Sequence, residues 1–238
     1  MPQRLAPAPV PSFIYTGAYE IVNDEDDPIT TTSQDNWKIR FLTSGTLTFT
    51  KLNGAEAGID VFLVGGGGSG ANNGSVNDGG GGGGAGYTKT VNSIIPSINT
   101  QYDIVVGSGA TSASRGESTS AFGNTANGGT SGANSENPTN GGSGGSGGGG
   151  GPYGSGGTDG NNGGSSDTGS GGTGQGTTTR EFGESDGRLY SSGGSSGYIG
   201  SDSPAANTGN GGYGHPWNNN DSRTSGASGI VIIRNARS

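Results

Sequence analysis

The chain contains one histidine, His215, in the stretch Gly214-His215-Pro216-Trp217. The abundant Ser and Asp residues could supply the other members of a Ser-His-Asp triad. However, the stretch around His215 is typical of a loop, and the sequence has no nucleophile elbow. Two interpretations of His215 stay open. It is either a loop residue that is exposed or stacked against Trp217, or part of a recognition tip in which aromatic side chains supply contact area.

Three acidic groupings could also do chemistry. Asp24-Glu25-Asp26-Asp27 lacks the spacing of an EF-hand, so it is interpreted as a solvated acidic turn rather than a calcium site. Glu181 and Glu184 could form an acid/base pair, but no pocket signal accompanies them. We expect them to pair with Arg180 and Arg188 on a loop surface. Asp159-Gly160-Asn161-Asn162 is typical of a turn.

The sequence predicts neither a cofactor nor a metal site. Cys is absent, and no Gly is directly followed by Lys, so Cys-based metal sites and a P-loop are both excluded. Matches to G-x-G-x-x-G are uninformative in a chain so rich in Gly. We therefore expect a protein that is not an enzyme, with no catalytic residues.

The elements that would position any site are β-strands. Short alternating or apolar runs predict strands at 13–15, 19–22, 37–43, 46–52, 59–64, 87–95 and 101–106. In 37–43 the apolar residues alternate with Lys38 and Arg40, as on a half-buried strand. Ser44-Gly45 then predicts a hairpin with 46–52. Ile230–Ile233 is too apolar to remain free, so we expect it to pair with the earlier sheet.

Between these strands lies a long glycine-rich excursion. Of the 56 glycines, 51 fall within 65–228, since Gly17, Gly45, Gly54, Gly58 and Gly229 lie outside. Collagen is excluded because the Gly runs break a strict three-residue period and Pro is scarce. Two alternatives remain: a flexible Gly/Ser linker, or packed polyproline-II-type glycine helices whose N–H and C=O groups pair between neighbours.

The predicted fold class is mainly β, with a β-sandwich-like base, a glycine-rich polyproline/polyglycine-II helix tip and little or no α-helix. The predicted domains are an N-terminal extended arm and attachment segment (1–36), a β-rich base (37–106, completed by strand 229–234) and a glycine-rich tip with loops (107–228). Net charge −8 with 11 scattered basic residues argues against nucleic acid as a partner. No apolar run reaches the roughly 20 residues of a membrane span, and no apolar leader follows Met1.

Four segments, in this order, resemble phage glycine-rich tail-fibre and adhesin domains: 37–49, 59–68, 176–190 and 226–234. The non-glycine residues of these segments carry the resemblance, because runs of Gly alone match many sequences. The resemblance implies a virion-surface protein, made in the host cytoplasm, whose tip loops contact a host receptor that is a glycan or an outer-surface protein. It implies other virion or tail proteins as partners. We expect assembly as a homo-oligomer or attachment to a larger fibre, because a chain with a small core and no disulfides would gain stability that way, and the kind of particle suggests a trimer.

We therefore expect a tail fibre or tail-tip protein that mediates host attachment. The candidate receptor contacts are Tyr153, Tyr190, Tyr198, Tyr213, His215 and Trp217. One alternative is a purely structural decoration or fibre protein without a receptor. A second is a glycine-rich cell-surface or ice-binding protein. Ice binding would require a regular flat face of Thr or Ala at three-residue spacing, which is not visible.

Overall fold

Ten short strands form the base of the molecule. The computed structural model describes residues 9–29, 36–71, 80–133, 140–151, 154–157, 178–196, 203–214 and 224–237. The strands are β1 (Ser12–Tyr15), β2 (Tyr19–Val22), β3 (Lys38–Phe41), β4 (Gly45–Lys51), β5 (Ile59–Val64), β6 (Thr88–Ile94), β7 (Gln101–Ile104), β8 (Thr119–Ala121), β9 (Asn124–Ala126) and β10 (Ile230–Asn235). Within the described residues the only helical element is a 3₁₀ turn at Glu181–Gly183. This confirms the mainly β class.

The C-terminal strand lies in the middle of the larger sheet. Its order is β2-β3-β10-β5-β6, with β10 antiparallel to both β3 and β5. The prediction that Ile230–Ile233 pairs with the earlier strands is confirmed. Because β10 supplies both central pairings, the ends of the glycine-rich excursion are anchored in one sheet.

The predicted hairpin between 37–43 and 46–52 is wrong. β4 lies in a separate three-stranded sheet of order β1-β4-β7, whereas β3 lies in the five-stranded sheet. Each strand already has a partner on both edges, β2 and β10 for β3, and β1 and β7 for β4, so neither has an edge free for the other. The chain at Ser44 therefore crosses from one sheet to the other, and the Ser44 hydroxyl accepts a 2.9 Å hydrogen bond from the Val106 N–H.

The main core lies between the inner faces of these two sheets, as in a β-sandwich. Alternate residues of β3, β4, β5 and β10 point inward and are fully buried: Ile39, Phe41, Leu47, Phe49, Val61, Leu63, Val231 and Ile233. β1 and β2 belong to the two sheets. Residues 12–22, which the sequence assigned to an N-terminal arm, are thus part of the base.

The outer face of the five-stranded sheet is covered as well. Phe62, Val64, Ile230 and Ile232 pack there against Phe182 and Tyr190 from the glycine-rich excursion. For the same reason Lys38 and Arg40 are only 7% and 3% exposed. The prediction of a half-buried β3 is wrong, because the segment 178–190 folds back over this face.

The region assigned to the tip contains more than glycine. The β8–β9 hairpin lies within 107–228 and packs against the base. Glycine-rich packing starts at Gly65, directly after β5, well before residue 107.

In the described residues, no helix has the length and apolar character needed to cross a membrane.

Candidate recognition site on the glycine lattice

The first glycine segment, residues 65–71, makes hydrogen bonds that repeat every third residue. The N–H groups of Gly65, Gly68 and Ala71 donate over 2.8–2.9 Å to carbonyls of the second glycine segment, residues 80–87. The intervening N–H groups donate to two other segments. Those of residues 66 and 69 donate to carbonyls within 114–117, and those of residues 67 and 70 donate to carbonyls within 224–227. A helix with three residues per turn produces this pattern.

The second glycine segment repeats the arrangement. Its N–H groups donate in turn to 146–149, 209–212 and 127–130, over 2.8–3.0 Å. Its carbonyls accept N–H groups from 65–71, 142–145 and Gly194. The second glycine segment therefore has six neighbouring segments around it, as in a hexagonal array of rods. We call the whole array the glycine lattice: residues 65–71, 80–87, 107–117, 127–133, 140–157, 191–196, 208–214 and 224–229, where described.

Close approach of the backbones explains why glycine is required. A Cβ added to Gly67 would lie 1.9 Å from the Asn210 carbonyl oxygen, and one added to Gly70 would lie 1.7 Å from that of Tyr213. Real Cβ atoms essentially never come within 3.0 Å of another atom. Within the described lattice the helical interpretation is confirmed, and the flexible-linker alternative does not fit the hydrogen bonds.

One end of the lattice is continuous with the base. β5 runs directly into 65–71, 80–87 runs into β6, and 224–229 runs into β10. The side-chain amide of Asn207 donates to the carbonyls of Leu42 and Gly229, at 2.8 and 2.9 Å. The lattice is thus clamped at the sheet edge by covalent continuity and by Asn207.

The other end, which we call the distal end, is where several segments stop together. Hydrogen bonds join Ala71 to Gly81, Ala133 to Asn140, Gly214 to Ser195 and Thr224 to Tyr213, over 2.8–3.0 Å. The residues that connect 71 to 80, 133 to 140 and 214 to 224 are attached at this end. The described segments that border these three stretches therefore end beside one another.

Tyr213 is the predicted contact residue that the structure places at the distal end. Its side chain is partly exposed, and its N–H donates to the Thr224 hydroxyl at 2.5 Å. The other candidates Tyr153, Tyr198, His215 and Trp217 lie outside the described residues. They follow or precede described lattice segments, and His215 comes directly after Gly214.

Tyr190 is placed elsewhere and is corrected as a contact residue. Its side chain is 1% exposed, lies against Phe62, and donates a 3.2 Å hydrogen bond to Glu181. Burial raises the pKa of the Tyr190 phenol, and the negative charge of Glu181 raises it further. A side chain without accessible surface cannot touch a receptor, so Tyr190 anchors the segment 178–190 to the sheet.

Sequence reasoning missed a charged cluster formed by Asp26, Lys38, Arg40 and Glu181. The Lys38 ammonium lies 2.6 Å from Asp26 and 2.9 Å from Glu181. Arg40 contacts the same two carboxylates, and lies 3.4 Å from Glu181. The cluster joins β3, the acidic turn and the covering segment, three parts of the chain distant in sequence.

The expected pairing of Glu181 and Glu184 with Arg180 and Arg188 is therefore wrong. Glu184 pairs with Arg234 at 2.7 Å, while Arg180 donates to the Gly187 carbonyl and Arg188 lies over the Tyr190 ring. Buried cations on the sheet compete better for these carboxylates, since a buried charge needs a partner. A useful signal was available: Lys38 and Arg40 alternate along a strand in a chain that is otherwise acidic.

Asp26 is strongly influenced by its neighbours. Burial by itself raises the pKa of this carboxyl, but the hydrogen bonds and positive charges of Arg40 and Lys38 outweigh that effect and hold the pKa below its usual value. Beside the cluster lies a cavity of about 320 Å³ between the acidic turn and residues 181–188. Since Asp26, Glu181 and Glu184 are each engaged by cations, they act here as a clamp.

The described residues contain no group of acidic or His side chains arranged to hold a metal ion. The distal end of the lattice, where the described segments end beside one another, is the candidate recognition site. Residues 42–236 match a protein family described as Glycine-rich domain. No curated protein matches the chain.

Proposed function

From the premise that this chain belongs to the glycine-rich domain family, we propose that it is a bacteriophage virion appendage protein, of a tail fibre or tail tip, that recognises a host-cell surface. The chain would be exposed on the assembled particle, with other virion proteins and further copies of itself as partners. The phage context comes from the resemblance of the four sequence segments. The recognition role is supported by the architecture.

The observation that carries the recognition role is the shared distal end. The segments leading into three connecting stretches, 72–79, 134–139 and 215–223, end there beside one another, held by main-chain hydrogen bonds of 2.8–3.0 Å. A rigid platform lowers the entropy cost of binding, because side chains mounted on it have less freedom to lose. Tyr213, which is partly exposed there, adds an aromatic side chain suited to recognition.

Binding of the fluorescently labelled chain to a panel of intact bacterial strains tests this proposal. On a strain that retains the chain, we expect Tyr213→Ala, His215→Ala and Trp217→Ala each to weaken binding. An anchoring aromatic contributes about 2 kcal/mol or more, so the weakening should reach about 30-fold for the strongest of the three.

Tyr19→Ala is the matched control, because Tyr19 is 45% exposed but lies on β2 in the base. It should bind like the unaltered chain. Equal binding by all four variants, with folding intact, would refute recognition at the distal end. If no strain retains the chain, the purely structural alternative is favoured.

A further inference from the structure

β7 and the β8–β9 hairpin lie side by side, and an isolated bridge joins Ser120 of the hairpin to Val105, the residue directly after β7. The N–H of Val105 donates to the Ser120 carbonyl at 2.8 Å, and the Ser120 N–H donates back at 2.9 Å. An antiparallel ladder continued from this pair would next place Phe122 opposite Asp103. The ladder stops instead after one residue pair.

The turn of the hairpin is what ends the ladder. Phe122 has φ 49° and Gly123 has φ 72°, so the chain reverses at the position where pairing with Asp103 would begin. The backbone of Phe122 is in the left-handed region, which residues other than glycine seldom adopt. Its ring packs on Tyr102, with the ring centroids 4.9 Å apart, which helps to hold this conformation.

The interrupted ladder leaves backbone groups of β7 unpaired. Along a strand, alternate residues direct N–H and C=O toward the same edge. Since Val105 directs both groups toward the hairpin, Asp103 and Gln101 direct theirs the same way. No backbone hydrogen bond from the part of the chain that the structure describes reaches them on that side.

A cleft of about 550 Å³ opens between this free edge and the hairpin. It is lined by Gln101–Asp103 on one side and by Ser120–Thr125 on the other, with Ile94 at one end. Its volume falls within the range of about 300–1,000 Å³ typical of ligand pockets. The aromatic rings of Tyr102 and Phe122 give the cleft an apolar surface. Asp103 is the only charged residue among those that line it.

We propose that this cleft binds an extended segment of a partner polypeptide, which adds as a strand to the free edge of β7. The main-chain groups of Gln101 and Asp103 supply hydrogen bonds in the way that a sheet edge receives an added strand. The peptide residue that pairs with Asp103 lies on the same exposed face of the sheet as the Asp103 side chain. A Lys or Arg at that position therefore complements the carboxylate. A neighbouring residue faces the opposite way, and an apolar side chain there packs on Tyr102 and Phe122. This binding is independent of recognition at the distal end.

Selection from a displayed library of random nine-residue peptides, with the purified full chain as target, tests the proposal. We expect enrichment of peptides that have a Lys or Arg next to an apolar residue. Their dissociation constants are then measured by fluorescence anisotropy on two variants. Asp103→Pro removes the edge N–H, whereas Asp103→Ala keeps it and removes only the charge.

Proline is tolerated on an edge strand when its missing N–H faces outward, so Asp103→Pro should fold, as thermal unfolding will show. It should weaken binding about tenfold or more, since the ring also blocks the approaching carbonyl, while Asp103→Ala should weaken it about threefold. On the unaltered chain, bound peptide should slow amide exchange at Gln101 and Asp103, a result that does not depend on either variant.

Three results would overturn the proposal. The first is the absence of any enriched peptide. The second is equal affinity for Asp103→Pro and Asp103→Ala. The third is unchanged amide exchange at residues 101 and 103 in the presence of a bound peptide, which would place that peptide elsewhere.

Discussion

Replacing Gly83 with Ala tests whether the glycine lattice is as closely packed as its hydrogen bonds indicate. The added Cβ would lie 2.2 Å from the Gly68 carbonyl oxygen, whereas real Cβ atoms essentially never come within 3.0 Å. The two central glycine segments would therefore have to separate by roughly 0.8 Å. Three hydrogen bonds of 2.8–2.9 Å join these segments, from residues 65, 68 and 71. That separation would stretch them to roughly 3.6 Å, beyond the usual range.

The expected destabilisation follows from those three bonds. Each hydrogen bond contributes about 0.5–1.5 kcal/mol net, so losing three costs about 1.5–4.5 kcal/mol. Ala restricts the unfolded chain more than Gly, which offsets about 0.4–1 kcal/mol. We expect the free energy of unfolding to fall by about 0.5–4 kcal/mol, and a loss near the middle of that range lowers Tm by about 5–9 °C.

Urea unfolding followed by circular dichroism measures this change. Ser146→Ala is the matched control within the lattice, because Ser146 is fully buried and its hydroxyl has no hydrogen-bond partner among the residues that the structure describes. That control should stay within about 0.5 kcal/mol of the unaltered chain. If Gly83→Ala is as stable as Ser146→Ala, the segments do not approach closely and the lattice argument fails.

Two further predictions concern the charged cluster. Glu181→Ala leaves Lys38 and Arg40 with Asp26 as their shared partner, so we expect a loss of about 3 kcal/mol in urea unfolding, and a loss below 1 kcal/mol would contradict a buried clamp. The folded pKa of Asp26 lies below its unfolded value of about 4, so its carboxylate stabilises the fold above pH 4 and this contribution is lost as the pH falls through the folded pKa. The stability difference between the unaltered chain and Asp26→Asn should therefore shrink between pH 6 and pH 3, and a difference that stays constant would refute the pairing.

Local pattern was sufficient to predict eight of the ten strands, but it did not predict β8 or β9. Alternation at 37–41 and 46–50, and the apolar run 230–233, reflect side chains that point to opposite faces of a strand, which is a property of the strand itself. Long runs of Gly are compatible with a flexible linker as well as with packed helices, and it is the hydrogen bonds between the segments that distinguish the two.

Tertiary structure alone decided which strands pair and what covers them. Ser44-Gly45 has the composition of a hairpin turn, yet β3 and β4 lie in different sheets because partners distant in sequence occupy their edges. Lys38 and Arg40 look solvent-facing along β3, but the segment 178–190, about 140 residues away, buries them and Tyr190 together. Strand pairing and burial of this kind depend on contacts between segments that are distant in sequence. The residues of a single strand or turn therefore do not predict them.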